Sequence, residues 1–260
     1  MAQASHFAYL QARLQARHGE RPSSDDWRLV EASADLSHFL DAVGRTPLKR
    51  WIGDLNHEME PEAIERQLRN TWREVVDQTA SWCPEAWREA VEWMRWLPDL
   101  PAIENLVSGG KLAPWMRHDP VLRDIAFDEL PRRREAMAES AFEPLTRTDR
   151  IDQDGRVRTV QLWIEEWQRR CPEKPDPVLT DMLETVLAHV ESMRASDAED
   201  GRALRNQLID RIARLFRRGA GTASAVFAHL LLDGLELERL RAGIISRRLM
   251  PERSEGRSWA

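Results

Sequence analysis

Paired carboxylates, a His-Glu dipeptide, two cysteines and a Gly-Gly-Lys run are the pieces of this sequence that could do chemistry. None has the spacing its chemistry requires. Glu165-Glu166 has no partner carboxylate or metal-ligand spacing beside it, so it reads as a solvated helix face. His57-Glu58 lacks the second histidine four residues on that a zinc-binding helix needs. Gly109-Gly110-Lys111 lacks both the leading glycine and the trailing Ser or Thr of a phosphate loop. No dinucleotide-binding glycine fingerprint and no nucleophile-elbow motif occurs. Cys83 and Cys171 form neither a CxxC pair nor a zinc pattern, which fits a reducing compartment. Cys83, between Trp82 and Pro84, reads as a small buried hydrophobe. The seven histidines are scattered, and most read as surface or helix-cap residues. The sequence therefore nominates no catalytic residue, no metal ligand and no cofactor.

Charge offers a different chemistry, that of recognition. The chain of 260 residues carries a formal charge of −6, which argues against nucleic acid as a partner. Arginines nevertheless cluster at Arg132-Arg133-Arg134 and at Arg202, Arg205, Arg211, Arg214, Arg217 and Arg218. The default for such a face is a solvated helix flank. The functional alternative is docking against an acidic partner helix or an anionic membrane surface. The triplet is the weaker cluster, because Asp128, Glu129 and Glu135 flank it.

The elements that must position these side chains read as helices throughout. A hydrophobic share of 42% and a charged share of 32% suit a globular, helix-leaning chain. Phe7, Leu10 and Leu14 mark a helix over 5–17. Ser24-Asp25-Asp26 and Asp35 cap two short helices, and 47–53 suits one more turn. Pro61 opens a long amphipathic helix carrying Ile64, Leu68, Trp72, Val75 and Val76. Pro84 opens the next helix, which Pro98 and Pro101 break, and 102–107 follows as a shorter one. Short helices are predicted near 119–127 and 131–141, a turn at 152–155, and helices over 156–170, 178–195 and 199–218. The helix at 178–195 carries an apolar stripe from Leu179 to Met193.

The most apolar stretch, Phe227–Leu249, turns amphipathic after Gly234, with Leu237, Leu240, Ile244 and Ile245 at helical spacing. No period-2 run suggests a strand. No apolar run reaches the roughly 18–20 residues of a bilayer span, and the first residues do not resemble a signal peptide. Any membrane role is thus expected to be peripheral. The eleven tryptophans are spread at helix-compatible positions and read as core or interface anchors.

Three segments in sequence order resemble one family, the AC39-type central-stalk component of V-type (rotary) ATPases, which occurs in bacterial, archaeal and eukaryotic complexes. Phe7-Ala-Tyr-Leu-Gln-Ala-Arg-Leu-Gln-Ala-Arg-His-Gly19 looks like that family's first helix. The segment Trp93–Leu106 with Ser108-Gly-Gly-Lys111 is similar to a region in which an Asp-x-x-Asn-Leu motif precedes a glycine turn. The stretch Phe227–Leu249 looks like its closing helix: Glu236 takes the place of a glutamate, Arg239-Leu240-Arg241 that of an Asn-Leu-Arg triplet, and Ile244-Ile245 that of an isoleucine-rich run. The match covers about a third of the chain. Arg239 stands where the family favours asparagine, and the chain is shorter than the family's members, as in a reduced, divergent bacterial form.

The resemblance implies an all-α fold of stacked helix pairs in about three lobes that form a funnel or socket. It implies a single domain over 1–260, with a sub-lobe break near 110–155. Its partners would be the rotor shaft of the soluble motor and the membrane proteolipid ring, and its place the cytoplasmic face of the inner membrane. No bond is made or broken in such a component. Candidate partner-binding residues are Arg13, Arg17, Glu236, Arg239 and Arg241 on the terminal helices, with Asn105 taken from the family's motif. The competing readings are a stand-alone helical scaffold and an all-helical enzyme. A pocket with buried Asp, Glu or His converging from separate helices would support the enzyme.

Overall fold

A computed structural model describes residues 2–147, 159–195 and 200–249. The fold is all-α, and no strand occurs among the described residues. The chain divides into two compact units, Met1–Glu92 with Pro175–Ala260, and Trp93–Lys174. The region 110–155 thus falls inside the second unit.

The first unit is built around its last helix. It contains α1 (Ala2–Gly19), α2 (Ser24–Glu31), α3 (Leu36–Gly44), α4 (Lys49–Ile52) and α5 (Pro61–Trp82). The next helix, α6 (Glu85–Trp93), runs up to the unit boundary. In the second unit follow α7 (Leu100–Val107), α8 (Leu130–Ala138) and α9 (Thr159–Arg170). The chain then returns to the first unit with α10 (Pro177–Ala195), α11 (Asp200–Arg218) and α12 (Ala223–Leu249). Helix α12 packs against α11, α5, α1, α10 and α3. Its 27 residues span about 40 Å at 1.5 Å per residue.

Local chemistry explains these elements. Ser23, one residue before the expected cap, closes α2: its hydroxyl accepts the Asp26 N–H, and the Asp26 carboxylate accepts from Ser23 in return. Asp35 caps α3 through the His38 N–H. Pro61 occupies the first turn of α5, where its missing N–H costs nothing. Ile64, Leu68, Trp72 and Val76 then fall four apart on its buried face. Trp27, Trp51, Trp72, Trp87, Trp93, Trp163 and Trp167 are buried anchors, as their distribution suggested.

Two glycines of α12 should respond in opposite ways to alanine. A Cβ on Gly234 would meet the Trp72 ring at 3.5 Å, an ordinary contact. Gly234→Ala is therefore expected to raise stability by up to about 1 kcal/mol, the helix-propensity difference. A Cβ on Gly243 would lie 2.6 Å from Cζ of Phe39, which is itself buried. Gly243→Ala is expected to cost about 1–3 kcal/mol by overpacking. Urea-unfolding midpoints should move in opposite directions for the two variants.

Several sequence expectations need correction. Residues 119–127 form a run of turns rather than a helix. Asp119 Oδ1 accepts the N–H groups of Val121 and Leu122 across Pro120, which satisfies the backbone locally. The stripe on α10 is fully buried only at Leu179 and Met182, while Leu187 is 37% exposed. On α12, Leu237, Leu240 and Ile244 are buried but Ile245 is exposed. The break expected near Pro98 and Pro101 is present: α6 ends at Trp93, Pro98 sits within a 3₁₀ turn, Met94–Asp99, and Pro101 lies in the first turn of the separate helix α7. The turn expected at 152–155 and the start of the helix expected over 156–170 lie outside the described residues.

In the second unit, the loop after α7 is closed by side chains. The Asn105 amide donates to the Lys111 carbonyl at 3.0 Å. Gly109 has φ 76°, and a Cβ on Gly110 would collide with Asn105 Oδ1. Arg133, expected on a surface patch, is buried and donates to the carbonyls of Phe127, Leu106 and Gly110. Glu166 is also buried rather than solvated, and pairs with Arg169 and Arg170. Burial works to raise its pKa, and the hydrogen bond and charge from these arginines hold it below the usual carboxylate range.

Candidate functional site

The strongest concentration of polar chemistry lies within the first unit, on the buried face of α12. His229, Asp233 and Glu236 follow one another at i, i+4 and i+7, which places them on one side of the helix. All three are buried. Two arginines from elsewhere in the chain answer the two carboxylates. Arg21, just beyond α1, donates to Asp233 Oδ1 at 2.8 Å and to the Leu232 carbonyl at 2.9 Å. Arg50, on α4, donates from one nitrogen to Asp233 Oδ1 and Glu236 Oε1, both at 2.8 Å. The Trp51 indole N–H completes Glu236 Oε1 at 2.6 Å. Glu236 Oε2 lies 3.2 Å from Arg21 but out of hydrogen-bond alignment, so that contact is ionic.

The charges balance: two carboxylates with side chains 1% exposed face two arginines whose side chains are 16% and 23% exposed. Desolvating each carboxylate costs several kcal/mol, which only close pairing and hydrogen bonding can offset. Burial works against ionisation of Asp233, yet His229, Arg50 and Arg21 beside it keep its carboxyl below the ordinary range. Burial likewise opposes the Arg50 charge, and Asp233 and Glu236 outweigh it. The network joins the segment just after α1 to α4 and α12 across more than 180 residues of sequence.

His229 is an exception to the expectation that most histidines lie at the surface or at helix caps. It is 2% exposed, its Nε2 lies 3.6 Å from Asp233 Oδ2, and its Nδ1 has no hydrogen-bond partner. Burial pushes its pKa below the ordinary 6.5 against the opposing Asp233 charge, and the Arg21 and Arg50 charges act in the same direction as burial. His18, stacked on Phe216 at 4.4 Å, is also lowered by burial and by Arg21. Because both histidines are lowered in the fold, the unfolded chain takes up more protons as pH falls through 6.5, and stability is lost. Asp233 adds a loss of the same sign at lower pH, as its depressed folded pKa is passed. His38 is raised by its hydrogen bond to Asp35 and works in the opposite sense, but it is fully exposed. The melting temperature is therefore expected to fall from pH 7 to pH 5, with a shallower fall in His229→Gln. An equally steep profile in that variant would show that His229 is not a source of the loss.

Beside the network lies a cleft of about 250 Å³ lined by Arg17, Arg50, Glu74, Gln78, Trp82 and Asp233, among others. That is below the roughly 300–1,000 Å³ of drug-sized ligand sites. The buried acid and base groups under it, His229, Asp233 and Glu236, all come from α12, and both of these carboxylates are already held by arginines, while Glu74 of α5 lines the wall. This is the chemistry of a structural lock, not of a free general base. No group of three or more His, Cys, Asp or Glu suited to a metal ion occurs among the described residues. The Cys83 thiol, buried and donating to the Thr79 carbonyl, is pushed up to about 12 by burial, as suits a small hydrophobe.

The six residues nominated from sequence are distributed between surface and core. Glu236 lies inside the ion network rather than at the surface. Arg13 stands over the rings of Tyr9 and Trp82. Arg17 donates to Gln78. Arg239 stacks 4.1 Å above the Trp27 ring and pairs with Glu31, and Arg241 pairs with Glu65 at 2.7 Å. Asn105 belongs to the second unit and closes the turn after α7. Sequence reasoning missed Arg21, Arg50, Trp51, His229 and Asp233. The available signal was three polar residues at i, i+4 and i+7 within the most apolar stretch, because buried polar groups need partners.

No protein-family model, no curated protein and no solved structure matches this chain. No helix among the described residues is long and apolar enough to cross a membrane.

Proposed function

We propose that the chain is a non-catalytic coupling subunit of a V-type rotary ATPase, linking the rotor shaft to the membrane proteolipid ring at the cytoplasmic face of the inner membrane. The observation that carries this reading is the union of the two segments that resemble the AC39-type family from opposite ends of the sequence. Helix α1 packs on α12, and Arg21 beyond α1 is bonded to Asp233 and Leu232 of α12. An adaptor that transmits torque needs its first and last helices fixed against each other. A buried, charge-balanced network with one good geometry supplies that register. The three-lobed socket belongs to this proposal, as do shaft and ring contacts through Arg13, Arg17, Arg239 and Arg241. Each of these four arginines is already steadied by an aromatic ring, an amide or a carboxylate.

The reading is tested in membranes from cells lacking the gene. ATP hydrolysis by the soluble motor should persist while ATP-driven ion uptake is lost, and re-expression of the chain should restore uptake. Undiminished ion uptake without the chain would contradict the proposal and favour a stand-alone scaffold.

A further inference from the structure

Phe216 of α11 is fully buried and has a histidine against it from each of two other helices. His18, in the last turn of α1, stacks on the ring at 4.4 Å, and His229 of α12 lies tilted to it at 6.4 Å. The Nδ1 atoms of both imidazoles are sealed from solvent and meet no hydrogen-bond partner among the described residues. A neutral ring tolerates this better than a charged one, because one of its nitrogens carries no hydrogen. An imidazolium has N–H groups at both nitrogens, so a protonated ring here buries a donor with nothing to accept it.

Arginines press on both rings. Arg21 and Arg50 act on His229, and Arg21 and Arg217 of α11 act on His18. Arg17 of α1 and Glu74 of α5 line the cleft that adjoins His229. Among the described residues, Asp233 is the one carboxylate whose charge favours either imidazolium. Its Oδ1 is held by Arg21 and Arg50, both at 2.8 Å, while its Oδ2 faces His229 Nε2 at 3.6 Å. With neutral histidines, two arginines balance Asp233 and Glu236. A proton on His229 sets three cations against two carboxylates, and expelling one arginine restores the balance. Arg21 is the one placed to leave. It lies in the connection between α1 and α2, whereas Arg50 sits on α4, lies 4.8 Å over the Trp51 ring and bonds both carboxylates.

We propose that the end of α1 is an acid-released latch: a protonated His229 takes Arg21's place at Asp233, and Arg21 and His18 swing out to water together. Leu10 and Leu14, both buried, keep the rest of α1 in place, so the movement is confined to its last turn and the connection that follows. Each of the two arrangements is charge-balanced, which makes this a switch between discrete states and not a gradual loosening. The proposal stands on this cluster and does not depend on the rotary-ATPase reading.

Hydrogen exchange on the full chain tests it, with rates corrected for their intrinsic dependence on pH. From pH 7 to pH 5, protection of the segment 15–21 should fall about tenfold further than that of α5. In His229→Gln most of that extra fall should vanish, because no charge arises to displace Arg21. A second measurement needs no variant. In NMR spectra of the wild-type chain, the His229 ring and the Arg21 guanidinium should change together, with one midpoint. Three results overturn the proposal. One is an equal loss of protection in 15–21 and α5, which is global unfolding. The others are an undiminished fall in His229→Gln and separate midpoints for His229 and Arg21.

Discussion

Arg50→Leu is expected to cost about 3–5 kcal/mol of folding stability, the range for breaking a buried ion pair from one side. The reason is an asymmetry in burial. Arg50 and Arg21 keep part of their surface in water, whereas Asp233 and Glu236 are sealed at 1% exposure. Removing a carboxylate leaves an arginine that can turn outward. Removing Arg50 leaves two buried carboxylates sharing Arg21, with Glu236 Oε1 retaining only the Trp51 N–H. Asp233→Asn should therefore be milder than Arg50→Leu. The double variant Arg50→Leu/Glu236→Gln should recover part of the loss, because one buried charge disappears with its partner. Urea unfolding followed by circular dichroism checks this. An Arg50→Leu variant within about 0.5 kcal/mol of wild type, the level of ordinary surface changes, would mean that the network contributes little.

Trp72→Ala should be comparably severe, about 3–5 kcal/mol. The side chain is fully buried, in the apolar stripe of α5, and its ring lies where a Cβ on Gly234 of α12 would touch it. Removing the indole takes away its transfer energy and opens a cavity between two long helices that can collapse only partly. Trp72→Phe should recover most of the stability, since it keeps an aromatic filling. Equal losses for the alanine and phenylalanine variants would indicate that the contact depends on the indole itself and not on filled volume.

How far the fold could be read from sequence depended on whether the deciding interaction was local. Helix α5 was legible because Pro61 fixes its start and Ile64, Leu68, Trp72 and Val76 recur within it. The cap on α3 was legible because Asp35 acts three residues away. The turns at 119–127 were not, since Asp119 accepts the Val121 and Leu122 N–H groups as a helix cap would and Arg123 closes one turn on the Asp119 carbonyl, but the bonds that follow, Ile125 to Leu122 and Phe127 to Ile125, do not continue a helix. The α10 stripe misled for another reason: periodicity shows which side chains share a face, not how much of that face another element covers.

The same distinction governs the candidate site. Arg13, Arg17, Arg239 and Arg241 were visible as helix-face cations, and the structure places each near α1 or α12. The ion network was not visible, because Arg21 and Arg50 meet Asp233 from 212 and 183 residues away. Glu236 was singled out for the right helix but the wrong environment. Glu236 and Glu238, either side of Leu237, carry no local mark that separates them, and only the tertiary contacts send the first inward to Arg50 and Trp51.

Affinity purification of the tagged chain from its native membranes, solubilised in mild detergent, tests the functional account most directly. The proposal predicts that proteolipid and rotor-shaft subunits of a rotary ATPase are recovered with the tagged chain. Recovery of the chain alone, free of any ATPase component, would contradict it.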